Sequence, residues 1–177
     1  MAIDDAARAF LVEHGADAIE HPGGTLFAHL LRVRERLGSL GAPAFVQLAG
    51  LTHAAYGTDG FDRVLISWTR RDLLRAVIGE EAEELVYLYG ACDRDRTWPE
   101  LVTARTVADR FTGRELMLEP GLAVPFVELT IVNELDVMDH NPAILSRHGE
   151  YFRELFARWE PLISPGLAEQ IRHSVAG

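Results

Sequence analysis

The sequence predicts an all-α fold carrying one small β-hairpin. Three observations lead there. Apolar residues recur at helical spacing along almost the whole chain; glycine and proline punctuate it at positions suited to helix ends; and the helical period weakens only between Thr97 and Glu119. Within that stretch Val107 to Leu118, with Thr112-Gly113 at its middle, reads as the hairpin. The chain has 177 residues and no low-complexity linker. A single domain over residues 1–177 is therefore expected, large enough to bury a core without disulfides or a structural metal.

The first helix runs from Asp4 to His14 and stops at Gly15, a residue suited to the left-handed cap position. After the loop His21-Pro22-Gly23-Gly24, Thr25 is the expected N-cap of a second helix, whose Leu26, Leu30, Val33 and Leu37 form one apolar stripe with His29 beside it. The break Gly38-Ser39-Leu40-Gly41-Ala42-Pro43 follows. Pro43 suits the first turn of a third helix, in which Val46, Ala49, Gly50 and His53 share a face. Tyr56-Gly57-Thr58-Asp59-Gly60 ends it in an irregular loop. Thr69-Arg70-Arg71-Asp72 resembles a capping box opening a short helix to Ile78, and Glu80 to Cys92 forms another with Leu85, Val86, Leu88 and Tyr89 inward. Pro120-Gly121 opens a long helix toward His140, closed by Asn141-Pro142. A final pair of helices is expected at Gly149 to Glu160 and Pro165 to His173.

Composition excludes several functions. A formal net charge of −10 opposes binding to a phosphate backbone, and no Lys/Arg run interleaved with aromatics offsets it, so nucleic acid is not an expected partner. No apolar run reaches the roughly 20 residues of a membrane span; Leu122 to Val132 is broken by Pro125, Glu128 and Thr130. The single cysteine, Cys92, reads as a small buried residue without an internal partner, and the start Met1-Ala2-Ile3-Asp4-Asp5 is acidic where a secretory signal is basic. A reducing, cytoplasmic location is the expectation. The nucleophile-elbow, phosphate-loop and dinucleotide-binding motifs are missing.

The informative pair is His29 and His53. His29 lies nine residues before Gly38 and His53 ten after Pro43, so in an antiparallel hairpin both stand roughly 14–15 Å from the turn. Two imidazoles at one height provide acid and base near neutral pH. Tyr56, Thr58 and Arg94 are the expected catalytic companions, with Arg94 clamping a substrate carboxylate or phosphate; His21, Thr25 and Asn133 are candidate substrate contacts. His21 serves equally well to shape the entry to the second helix. His14, His148 and His173 read as structural or surface positions.

A histidine in one helix, a second about 25 residues on near the end of the next, and an acidic position in a late helix resemble the HD-domain superfamily. Here the pattern falls on His29, His53-Ala54 and Val132-Asn133-Glu134-Leu135-Asp136. The strings His21-Pro22-Gly23-Gly24-Thr25-Leu26 and His53-Ala54-Ala55-Tyr56-Gly57-Thr58 look like an uncharacterised bacterial and fungal branch of it. The resemblance implies a helical bundle and metal-dependent phosphohydrolase or di-iron chemistry. This chain departs from the pattern: Ala54 and Asn133 stand where the family has aspartates, and no histidine lies between His53 and His140. Hard cations should bind poorly without those carboxylates.

The expectation is therefore a metal-independent small-molecule enzyme of hydrolase, lyase or isomerase type. A single Fe or Zn ion held by His29 and His53 with Asp136 or His140 is the alternative. Asn133, Asp136 and His140 share a helical face at offsets of three and seven. A non-catalytic binding protein using Tyr151, Leu155, Phe156 and Trp159 as an interface is the third reading. A small-molecule substrate and at most a second copy of the chain are the expected partners.

Overall fold

The computed structural model describes residues 3–174, and its architecture is all-α with two short antiparallel strand pairs. Helix α1 spans Ile3–Glu13, α2 Leu26–Ser39 and α3 Ala44–Thr52; between α1 and α2 the strands β1, Glu20–His21, and β2, Gly24–Thr25, form a tiny hairpin. Helices α4, Arg71–Ile78, and α5, Glu80–Ala91, follow, then two short helices, α6, Arg94–Thr97, and α7, Leu101–Ala104. Strands β3, Thr106–Ala108, and β4, Glu115–Met117, pair with Val107 opposite Leu116. Helix α8, Pro120–His140, α9, Pro142–Trp159, and α10, Pro165–Ser174, complete the chain.

Helices α2 and α3 form the antiparallel hairpin, and α8 packs across both. The stripe Leu26, Leu30, Val33 and Leu37 is fully buried, as are Val46, Ala49 and Leu51 opposite it. Gly50 allows the close crossing, because a Cβ there would overlap the tip of Leu37 and nearly touch Val33. Replacing Gly50 by alanine should cost about 1 kcal/mol: overpacking of about 2 kcal/mol is offset by about 1 kcal/mol of helix propensity. Thermal unfolding should then shift down by roughly 2–4 °C; an unchanged or raised midpoint would mean that the crossing tolerates a methyl group.

Helix α8 is buried around nearly its whole circumference from Phe126 to Asp136. Its apolar residues therefore follow no one-sided stripe. It also buries Glu128, Thr130, Asn133, Glu134 and Asp136, which is costly unless each polar group finds a partner. Thr130 is satisfied within the helix by the carbonyl of Phe126 at 2.7 Å. Asn133 and Asp136 turn toward His29 and Arg32 on α2 instead, and Glu134 turns toward Arg94 on α6.

Several boundaries differ from the sequence expectation. Thr25 does cap α2, accepting from the Ala28 amide at 3.2 Å. The expected capping box at Thr69 does not form; Ser67 caps a 3-10 turn over Trp68–Arg70, and α4 begins at Arg71. The helix expected from Gly149 begins at Pro142, since proline at the first position needs no amide partner and the chain turns directly out of α8 at Asn141. The β1–β2 hairpin was not foreseen, because two-residue strands leave no alternating pattern. The face Leu155, Phe156 and Trp159 is buried and only Tyr151 at its edge is exposed, with Trp159 donating to the Trp98 carbonyl at 3.3 Å. That face belongs to the core, not to an interface. Among the described residues no helix is long and apolar enough to cross a membrane.

Candidate functional site

His29 on α2 and His53 at the C-terminal cap of α3 meet beneath a cavity of about 250 Å³. Their Nε2 atoms are 3.4 Å apart and the rings stand edge to face at 82°. Both rings are buried, and each is fixed through its other nitrogen. His53 Nδ1 donates to the Gly50 carbonyl at 2.8 Å, and His29 Nδ1 donates to Asp136 Oδ2 at 2.6 Å.

These bonds assign hydrogens. A main-chain carbonyl can only accept, so His53 carries its hydrogen on Nδ1 and presents a bare Nε2. Burial first, and then the charge of His29, push the His53 pKa down to about 3, which keeps this ring neutral. Asn133 Oδ1 lies 3.0 Å from His29 Nε2, while the Asn133 amide nitrogen donates to Glu134 Oε1 at 3.0 Å. Turning the amide over would set its oxygen against that carboxyl, so the oxygen faces His29. Acceptors thus face both ring nitrogens of His29.

Asp136 is the node behind His29. Burial alone would raise its pKa, but the hydrogen bonds from His29 and Arg32 outweigh that and hold the carboxyl well below the usual carboxylate range. Arg32 approaches in a fork, Nε to Oδ1 at 2.8 Å and Nη2 to Oδ2 at 2.9 Å. The same guanidinium reaches the Pro22 carbonyl at 3.1 Å, tying the β1–β2 hairpin to the node. Gly23, at φ +80°, lies so close to His140 that a Cβ there would collide with the ring. His21, on that hairpin, stacks on His29 at 4.0 Å between centroids, and burial followed by the charge of His29 lowers its pKa to about 4.

The cavity brings together His21, His29, His53, Thr58, Arg94 and Asn133 from the sequence-derived set. Other members of that set lie elsewhere. The Tyr56 hydroxyl donates to Glu83 Oε1 at 2.8 Å, in a network with Arg71 and Arg75, and the residue lines a separate cleft beside Trp68 and Phe111. Thr25 is occupied as the α2 cap and does not line the cavity. Asp136 lies on the Nδ1 side of His29, away from the shared Nε2 side. His140 donates to the main-chain oxygen of Asp136 at 2.8 Å, one turn further on. Neither can complete a metal site with the two Nε2 atoms, and among the described residues no three His, Cys, Asp or Glu side chains converge on one point. Cys92 is buried, and burial pushes its thiol up to about 12, which suits a core residue.

Sequence reasoning missed Arg32, Glu134, Tyr89 and Phe61. Arg32 follows His29 by three residues and so shares its helix face, a signal available in the sequence. Glu134 lies 2.9 Å from Arg94 Nη1, and the Tyr89 hydroxyl accepts from Arg94 Nη2 at 3.1 Å while its ring meets His53 edge-on. Phe61 packs edge-on against His21.

A family model described as a domain of unknown function (DUF6817) is similar to residues 10–94. That segment carries His21, His29, His53, Thr58 and Arg94 but not α8. No curated protein and no solved structure matches the chain.

Proposed function

We propose that the chain is a small-molecule enzyme whose His29 and His53 exchange protons with a substrate in the cavity, as acid and base respectively. The observation that carries this is the meeting of two imidazoles 3.4 Å apart with different partners: His53 Nδ1 donates to a carbonyl, which leaves Nε2 as an acceptor, while acceptor oxygens face both His29 nitrogens. His53 has a lone pair on Nε2 beside the His29 ring, and His29 has a hydrogen on Nε2 with a carboxylate behind it. Environments that hold two titratable groups in different states assign acid and base. A proton taken by His53 from one substrate position is balanced by the His29 proton delivered to another, and the contact between the two rings restores the starting state. Eliminations, isomerisations and hydrolyses use such paired transfers, and positioned acid–base groups of this kind contribute roughly 10²–10⁴-fold each.

An HD-like helical architecture is part of the proposal. It is supported by two histidines on neighbouring antiparallel helices that meet Asn133 from a late helix. A second reading, a site for one borderline metal ion, is favoured by one observation. The separations of 3.4 and 3.0 Å from His29 Nε2 are those of neighbouring ligands each roughly 2.1 Å from a common ion. Both rings are also anchored through Nδ1, as metal-bound histidines usually are. His29, His53 and Asn133 would hold such an ion, which would supply Lewis acidity. This donor set is uncharged, however, and does not fit Mg²⁺ or Mn²⁺.

Incubating a cell metabolite extract with native protein, His29→Gln and His53→Gln, followed by mass spectrometry, tests the main reading. At least one compound should be consumed by the native protein and spared by both variants. Identical profiles for all three would leave a binding protein. Metal analysis of protein purified without chelator decides the second reading: near-stoichiometric Zn or Fe supports it, and less than about a tenth of an equivalent removes it.

A further inference from the structure

One wall of the cavity holds charges that the fold does not use up. Arg94 opens α6, its main-chain amide donating to Asp59 Oδ2 at 2.9 Å, and its guanidinium lies over the Trp98 ring at 4.8 Å. Its Nη1 is 2.9 Å from Glu134 Oε1, and Nη2 donates to the Tyr89 hydroxyl. Three of the five guanidinium hydrogens keep no partner in those contacts. On Glu134, Oε1 takes both Arg94 and Asn133, whereas Oε2 makes no hydrogen bond among the described residues. Thr58, only 6% exposed, lines the same cavity, and its hydroxyl makes no hydrogen bond among the described residues. Buried ion pairs of this kind contribute little to stability against apolar replacements. Ser164 Oγ is the one sealed side-chain polar atom without a partner among the described residues, so these groups reach the cavity and stay open to a ligand there.

We propose that this ligand is a small zwitterion of the α-amino-acid type with a short apolar side chain. In such a molecule the ammonium and the carboxylate sit on one short skeleton, and here the Arg94 and Glu134 charges stand side by side, paired at 2.9 Å. The two charge pairs therefore lie head to tail. The carboxylate takes free Arg94 hydrogens and the Thr58 hydroxyl, and the ammonium takes Glu134 Oε2. A singly charged ligand satisfies one partner and sets a like charge against the other. The cavity of about 250 Å³ holds on the order of eight water volumes, the size of a small amino acid, and Leu26, Phe61, Val137 and Ile144 supply an apolar lining for its side chain. This names the substrate class of the acid–base site and rests on that reading for its chemistry, though not for binding.

Three probes with one carbon skeleton test it by titration calorimetry on the unmodified protein at pH 7: norvaline, pentanoate, which lacks the amine, and butylamine, which lacks the carboxylate. Norvaline should bind about tenfold more tightly than either, the loss expected for one charge-assisted contact. Glu134→Gln should erase its advantage over pentanoate, and Thr58→Val should weaken it several-fold without disturbing folding. Equal binding of norvaline and either singly charged probe, or no binding by any of the three, overturns the proposal. Metabolite turnover that depends on His53 without amino-acid preference would leave the acid–base site standing and remove only this substrate class. Norvaline binding without turnover would do the reverse.

Discussion

Replacing Asp136 by asparagine should destabilise the protein by about 3–5 kcal/mol, because it leaves charged partners facing a group that cannot balance them. Asp136 is buried and receives His29 and both arms of the Arg32 fork. An asparagine keeps the shape but offers one acceptor oxygen where two are used, and turns an amide against either Arg32 or His29. The expected fall in the thermal midpoint is roughly 10 °C for a chain of this size. Asp139→Asn is the control: its carboxylate pairs with Arg36 Nη1 at 2.8 Å and is 43% exposed, so its loss should cost under about 1 kcal/mol. The acid response carries a sign as well. The folded pKa of Asp136 is depressed, so its contribution is present above the unfolded value near 4 and is lost as pH falls below it. In Asp136→Asn that part of the acid sensitivity should vanish. Equal losses for the two variants would mean that the node behind His29 has no special role.

Stability of the native protein should fall as pH drops from about 6.5 toward 4, well above the range where carboxylates protonate. The cause is His53, whose pKa is lowered to about 3 by burial and by the charge of His29, against roughly 6.5 in an unfolded chain. Across that window the unfolded state binds one proton more than the folded state, so stability rises with pH. The slope is about 1.4 kcal/mol per unit, on the order of 4 kcal/mol over the accessible range. His21, with a pKa near 4 but partly reached by solvent, adds a smaller component. Urea unfolding of native protein, His53→Gln and His21→Gln at pH 7, 6, 5 and 4.5 measures each part. His53→Gln should be less stable at pH 7, since its Gly50 contact is lost, yet lose little more on acidification. A His53→Gln curve as steep as the native one would show that this ring titrates normally in the folded chain.

Local signals fared well where the physics is local. The α2 cap at Thr25 and the long helix from Pro120 to His140 follow from side chains acting on nearby backbone, and so does the stop at Gly15. The matched height of His29 and His53 follows from helix rise on either side of a short turn. The sense in which a side chain points out of a loop is not local, and so Tyr56, three residues past His53, was misplaced: Glu83 draws its hydroxyl away from the cavity.

By itself the sequence determined the helical period, the cap at Thr25 and the hairpin that pairs two histidines. The rotation of α8 about its axis was decided only in three dimensions. That rotation sends Asp136 behind His29, Asn133 to its front and Glu134 to Arg94, through contacts between residues more than 100 positions apart for the first two. No short-range rule sets that angle, because a helix buried on every side has no apolar stripe to orient it. Packing around it chooses which polar residues face which partners.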